Sequence, residues 1–215
     1  MKMNNTKELA SARNAFAKEK FDVAIAKAKP FLDSAISDIK LEAAALTGLA
    51  NFQKKEFEKA QSCFQMVVES SHKAEDWFNL LTSSTMAGDF ATAQVAFQKT
   101  VEYRKAGEDP EEISIPFIIF YYACALRDKK KWDTALEQIE ELRKIYEQLA
   151  ITDDTFVSIR GVPFLSDTLQ VALDVFRGLG DKFNADKWLN SFAKKLDADG
   201  KTLVQEYRQK LKVGV

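Results

Sequence analysis

The chain has 215 residues, with 31 basic and 32 acidic side chains, one histidine and a formal net charge of −1. That balance offers no basic excess of the kind nucleic-acid binding selects, so no nucleic-acid partner is expected. A hydrophobic content of 46% is enough for a real core, and only four prolines and eight glycines suit a mostly helical chain.

Residues Thr6–Ala17 read as a first helix, with Asn5 or Thr6 as cap and Leu9, Ala12 and Phe16 at helical spacing. After KEK, the stripe Phe21, Ala24, Ala28, Phe31 and Leu32 marks a second. Pro30 lies inside it and should bend or end it near Lys27–Lys29. Leu41–Phe52 and Phe57–Ser70 form a second pair joined by QKKE. Ala74–Ala87 and Phe90–Lys105 form a third, joined by Gly88–Asp89, where a helix-ending glycine precedes a helix-starting aspartate. AGEDPEE interrupts the pattern. Ser114 and Pro116 then suit the start of Ile115–Arg127, which pairs with Trp132–Leu149. Ile151–Leu165, rich in β-branched and aromatic residues and holding Gly161 and Pro163, does not read as a helix of the series. Ser166 or Asp167 is expected to cap a fifth pair, Thr168–Gly178 and Asn184–Leu196, joined at Gly180–Asp181. Lys201–Val213 is a last, more polar helix, with Leu203, Val204, Tyr207 and Leu211 facing inward.

One spacing recurs through this series. An aromatic followed three positions later by alanine opens the second helix of four pairs: Phe21/Ala24, Phe57/Ala60, Phe90/Ala93 and Trp132/Ala135. The aromatics stand 36, 33 and 42 residues apart. Helix pairs at such a period stack on one another, because each pair alone leaves an apolar face uncovered and the ends need polar caps. Small residues at the crossing let two backbones approach, and neighbouring rings fill the remaining volume.

Helix pairs at this spacing resemble the tetratricopeptide repeat family. The third pair matches its pattern best, with Trp77, Leu80, Gly88–Asp89–Phe90, Ala93 and Phe97. The second supplies Gly48, Phe57, Ala60 and Phe64, and the first Ala12, Phe21 and Ala24, with Ala28 where a larger residue is usual. The fourth supplies Tyr122, Ala123, Trp132, Ala135 and Ile139. The fifth is looser: Ala185, Leu189 and Phe192 fall correctly, but Lys182 stands where an aromatic belongs. The resemblance implies an all-α fold, a right-handed superhelical solenoid forming one domain over residues 1–215. Its repeats would be 5–38, 41–73, 74–107, 116–149 and 166–199, with a non-repeat insert at 151–165 and a capping helix at 201–213.

Residues with catalytic or ligating chemistry do not assemble into a motif. His72, in ESSHKAED, reads as an exposed linker histidine, and no Cys/His spacing suits zinc. Asp197–Gly200 is not a calcium loop, because the glycine comes too early and no glutamate closes it. Gly178 and Gly180 follow no strand and have no third glycine, so they are not a phosphate loop. Asp109, Glu111, Glu112, Asp153 and Asp154 read as solvated loop carboxylates. Cys63 and Cys124 form no framework and read as reduced thiols packed in helices. The start, MKMNNTKELA, lacks the apolar core of a signal peptide. The longest apolar run, Ile115–Leu126, is too short to span a bilayer. The expectation is a cytoplasmic protein without membrane insertion, enzymatic activity, metal or cofactor.

By the resemblance, binding residues come from the first helix of each pair and face a concave groove. There stand Leu9, Arg13 and Phe16; Leu49 and Phe52, with Ala45 and Gln53; Phe78, Thr82 and Met86, with Thr85; and Phe117, Phe120 and Arg127, with Cys124. The family's carboxylate clamp is mostly absent, since its places hold Leu9, Arg13, Leu46, Glu75 and Asn79. The groove instead reads as apolar. Ile115, Ile119, Tyr122, Ala123 and Leu126 form one stripe on their helix, while Phe117, Phe120, Tyr121 and Cys124 form a second that needs its own cover. That cover is either the insert, through Phe156, Val157, Ile159, Val162, Phe164 and Leu165, or a partner's amphipathic helix or extended peptide. The expected function is therefore a protein-binding scaffold. The alternatives are a self-associating homo-oligomer whose groove takes its own insert or a neighbour, and a carrier of a small apolar ligand.

Overall fold

In each of the five helix pairs the chain turns through one residue in the left-handed region. These are Glu19, Lys55, Gly88, Lys130 and Gly180, with φ between 56° and 90°. The same two backbone bonds recur at every turn. At the third, Gly88 N–H donates to Thr85 C=O at 3.0 Å and Asp89 N–H to Ser84 C=O at 2.9 Å; at the fifth, Gly180 donates to Arg177 and Asp181 to Phe176, both at 3.1 Å. This is the Schellman closure, which satisfies the last carbonyls of the ending helix and reverses the chain. The opening residue of the next helix stands two positions after the left-handed residue. An alanine stands five after it, and all five of these alanines are 0% exposed: Ala24, Ala60, Ala93, Ala135 and Ala185.

The structure is a computed structural model that describes residues 2–107 and 113–213. Every element among the described residues is helical. The first unit, Met1–Asp109, holds α1 (Lys2–Ala17), α2 (Phe21–Ala28), α3 (Ser37–Gln53), α4 (Phe57–Val68), α5 (Ala74–Ala87) and α6 (Phe90–Ala106). The second unit, Pro110–Val215, holds α7 (Ile115–Asp128), α8 (Trp132–Glu147), α9 (Asp154–Ile159), α10 (Leu165–Leu179), α11 (Lys182–Ala193) and α12 (Ala198–Val213). Within the first unit α2 packs between α1 and α3, and α4 between α3 and α5. Within the second, α10 packs on both α7 and α8, and α12 closes on α10 and α11. The carboxylates Asp109, Glu111 and Glu112 lie outside the described residues.

Caps and breaks appear where the residue chemistry places them. Asp89, Ser114 and Asp181 accept the third backbone N–H of α6, α7 and α11 at 3.1, 3.4 and 3.0 Å. Pro30 ends α2 at Ala28, and the chain continues as a single 3₁₀ turn, Lys29–Phe31. Several boundaries differ from expectation, among them the start of α3 at Ser37 and not Leu41, and the span of α11, Lys182–Ala193 and not Asn184–Leu196. First, α1 begins at Lys2, because nothing in KMNN breaks a helix. Second, α10 begins at Leu165 with Phe164 at its N-cap position, not at Thr168 behind a Ser166 or Asp167 cap. The reason is burial: Leu165 is 0% exposed and opens the stripe that continues through Thr168, Leu169, Ala172 and Phe176. Third, α12 begins at Ala198, where Asp197 Oδ1 accepts Gly200 N–H at 3.0 Å. Fourth, the 151–165 segment contains a short helix, α9. Asp153 caps it by accepting Phe156 N–H at 3.1 Å, and Asp154 is its first residue, so neither carboxylate is a loop residue free of structure.

The insert is tied at both ends. Thr152 donates its backbone N–H and its hydroxyl to Asp197, at 3.1 and 2.5 Å. Ser114, at the start of α7, donates to the Gly161 carbonyl. The buried Tyr146 hydroxyl of α8 donates to the Pro163 carbonyl at 2.6 Å and meets Thr168 Oγ1 at 2.9 Å. Val157 and Val162 are its buried apolar anchors.

Three substitutions and one pH dependence test these features. Lys55→Gly relieves a left-handed strain of about 1–2 kcal/mol at an entropic cost of about 0.5–1 kcal/mol, so chemical denaturation should show a small gain in stability. Gly88→Ala should lose about 1–2 kcal/mol, and by backbone strain alone, because an added Cβ there meets nothing within 4 Å. Tyr146→Phe should cost about 1–3 kcal/mol by stranding two buried partners. Burial holds the Tyr146 phenol above its ordinary value, with the Thr168 hydrogen bond opposing. The unfolded chain therefore releases this proton first as pH rises. Stability should fall above about pH 10, and the slope should flatten in the phenylalanine variant.

Candidate functional site

The first-helix faces are built by α1, α3 and α5 in one unit and by α7 and α10 in the other. Leu9 does not belong to either face. It is 1% exposed in a core cluster with Ala12, Ala28, Ala43 and Leu46, so it has no surface to offer a partner. Phe16 is half-buried against that cluster, and its ring meets Phe21 at 5.6 Å. Thr85 is likewise wholly buried, its hydroxyl donating back to Leu81 C=O at 2.7 Å. These residues sit on helix faces that close the stack. The helical period alone does not separate that edge from the open one.

Arg13 is exposed and reaches across from α1 to α3, its Nε–H donating to Glu42 Oε1 at 2.5 Å. Along α3 come Ala45, Leu49 and Phe52, all half-buried, with Phe52 edge-on to Phe57 at 5.3 Å. On α5, Phe78, Thr82 and Met86 are half-buried, and Thr82 donates to its own helix at Phe78 C=O, 3.1 Å away. Between α3 and α5 lies a cleft of about 560 Å³, whose polar rim is Asp38, Glu42, His72, Lys73 and Asp76. This acidic rim is not among the groove residues expected from the sequence. The available signal was Asp38, Glu42 and Ala45 at three- and four-residue spacing on one helix.

In the second unit, α7 is apolar on two sides, as its residue pattern requires. Ile118, Ile119, Tyr122, Ala123 and Leu126 are buried. Phe117, Phe120 and Cys124 are half-buried, and Tyr121 is 46% exposed. Tyr121 stacks on Phe117 at 6.1 Å and stands edge-on to Phe120 at 5.8 Å, making a three-ring surface cluster. The insert meets α7 at its first turn, through Ser114. Arg127 closes the far end of this face, bound to Asp128 at 2.8 Å and to Asp174 of α10 at 3.5 Å.

Chemistry in these faces is muted. Burial pushes the Cys124 thiol up to about 11 and raises that of Cys63, so neither is a thiolate at neutral pH. His72 is exposed, its ring edge-on to Tyr103 at 5.6 Å. Among the described residues no group of three His, Cys, Asp or Glu side chains could hold a metal ion. No described helix is long and apolar enough to cross a membrane.

No family model and no curated protein matches the chain. Solved structures do. The crystal structure of MamA protein is similar over 91% of this chain and 93% of its own, with a TM-score of 0.62 at 17% identity. That of YrrB, a TPR protein with an unusual peptide-binding site, is similar over 94% of this chain and 90% of its own, with a TM-score of 0.56 at 14% identity. With the repeated turn, the buried alanines and the alternating packing of helix pairs, these likenesses show a tetratricopeptide-repeat-like fold, an all-α helical-repeat solenoid.

Proposed function

We propose that this protein is a non-catalytic interaction scaffold whose first-helix faces hold an apolar or amphipathic segment of a partner protein. The observation that carries the reading is the Phe117–Tyr121–Phe120 cluster on α7. Three rings gathered at a surface, one of them 46% exposed, are a costly arrangement unless something covers them. The flanking Arg127–Asp174 pair supplies a polar edge that orients a bound segment. On α3 and α5, Leu49, Phe52 and Met86 extend the same chemistry in the first unit. The YrrB structure, similar in fold, carries a peptide-binding site, which agrees with this use of the fold.

A second reading, self-association, is favoured by one observation: Ile159 on the insert is 82% exposed. In that case light scattering would show a mass that rises with concentration and stays monomeric in Ile159→Asp.

The scaffold reading is tested with Tyr121→Asp. Through lost ring contacts and poorer helix propensity it should cost about 1–2 kcal/mol and leave the protein folded, yet lower capture of a partner at least about tenfold. Phe64→Ala, at a 1% exposed core ring, should instead destabilise by about 3–5 kcal/mol. Unchanged capture by folded Tyr121→Asp protein would sink the proposal.

A further inference from the structure

In the second unit, residues of α8, α10 and α11 bound a hollow of about 410 Å³. Its wall is apolar: Leu136 from α8, Phe176 and Leu179 from α10, and Trp188 from α11. Phe176 and Trp188, 4% and 8% exposed, hold each other with ring centroids 5.7 Å apart and back the wall, while the half-buried Leu136 and Leu179 offer its open apolar surface. The helices α8 and α11 are tied to each other. Arg143 donates to Ser191 Oγ at 3.0 Å, and the Trp188 indole N–H donates to Glu140.

The charges around this hollow are mostly committed. Arg143 also donates to Glu147 at 2.8 Å. Both oxygens of Asp181 are occupied, by the Asn184 backbone N–H at 3.0 Å and its side-chain amide at 2.5 Å. Lys187 differs: it lines the mouth, is exposed, and has no ion pair or hydrogen bond among the described residues. One turn earlier on α11, and so on the same side, Phe183 is 78% exposed. An apolar hollow with one uncommitted cation, and an exposed ring one turn away on the same helix face, selects an apolar group with negative charge beside it. Its volume falls at the low end of ligand-sized pockets, roughly 300–1,000 Å³, which suits one large side chain and not a whole helix.

We propose that this hollow is a second docking site, separate from the first-helix faces. Its occupant is a partner-protein segment that inserts a large apolar side chain flanked by a carboxylate. The side chain lies on Leu136 and Leu179, the carboxylate meets Lys187, and Phe183 covers the entering backbone. Lys182 takes the aromatic position and is exposed, and the ring stands one residue later, turned outward as Phe183.

The test is an NMR titration of the full ¹⁵N-labelled chain with the capped pentapeptide Gly-Glu-Phe-Glu-Gly. Two comparison peptides carry lysine for both glutamates, or alanine for phenylalanine. Amide shifts should group at Leu136, Leu179, Asn184 and Lys187 and at the Trp188 indole, with each comparison peptide at least about fivefold weaker. Lys187→Glu, at an exposed position that leaves the fold intact, should reverse the charge preference. Tyr121→Asp should leave binding unchanged, which separates this site from the face on α7. Absent grouped shifts, equal binding of the lysine peptide, or shifts confined to α7 would overturn the proposal. So would a concentration-dependent dimer abolished by Phe183→Ser, because the occupant would then be a second copy of the chain.

Discussion

The left-handed residue that ends each first helix sets the geometry of everything after it. A Schellman closure allows little freedom in where the next helix begins, so the residue two positions on and the alanine five positions on are carried to fixed places. The alanine then stands where two backbones cross, and its small volume is what lets them meet. Only two of the five turns use glycine. Glu19, Lys55 and Lys130 hold the same conformation against their own steric preference. The stack that follows is therefore stable enough to impose a turn that the local residues do not favour.

The packing of neighbouring pairs also explains where the pattern lapses. Trp132, which opens α8, lies against Gly178 of α10, so closely that any side chain at 178 would overlap the indole. The opening aromatic of a second helix thus serves the first helix of the next pair. Among the described residues α11 packs on the single helix α12 and not on the first helix of another pair, and the position is free to hold the exposed Lys182. Ala12 and Ala28 show the reverse case. Both small residues are buried in one cluster, and Phe16, Phe31 and Leu32 supply the bulk from positions outside the pattern.

The insert has a structural task that its composition hides. Its hydrogen bonds run to the start of α7, to the buried tyrosine of α8 and to the loop before α12, so it binds together the ends of several elements in the second unit. Gly161, Pro163 and Thr152 are there for carbonyls, a turn and a hydroxyl at set places. The side chains that seemed available to cover the α7 rings are divided: Val157 and Val162 point inward as anchors, while Ile159 and Phe164 face outward.

The paired helices, the caps at Asp89 and Ser114, the Gly180–Asp181 turn and the break at Pro30 were legible in the residues, because each rests on interactions within a few positions along the chain; the short helix α9 was not. The buried stripe of α7 was legible for the same reason: periodicity assigns Ile119, Tyr122, Ala123 and Leu126 to one side. Which apolar side chains lie at the surface was not. Leu9 and Phe16 share a helical face with Arg13, yet the core takes Leu9 wholly and Phe16 in part, while Arg13 reaches out to Glu42. The 410 Å³ hollow was invisible for a related reason, since it is bounded by residues from three segments that no local pattern brings together, and the acidic cleft left only its α3 edge in the pattern. By itself the sequence determined the repeat, its register and its small-residue crossings, all consequences of short-range geometry. Only the tertiary structure decided which faces stay open, because exposure depends on what the neighbouring helices leave uncovered.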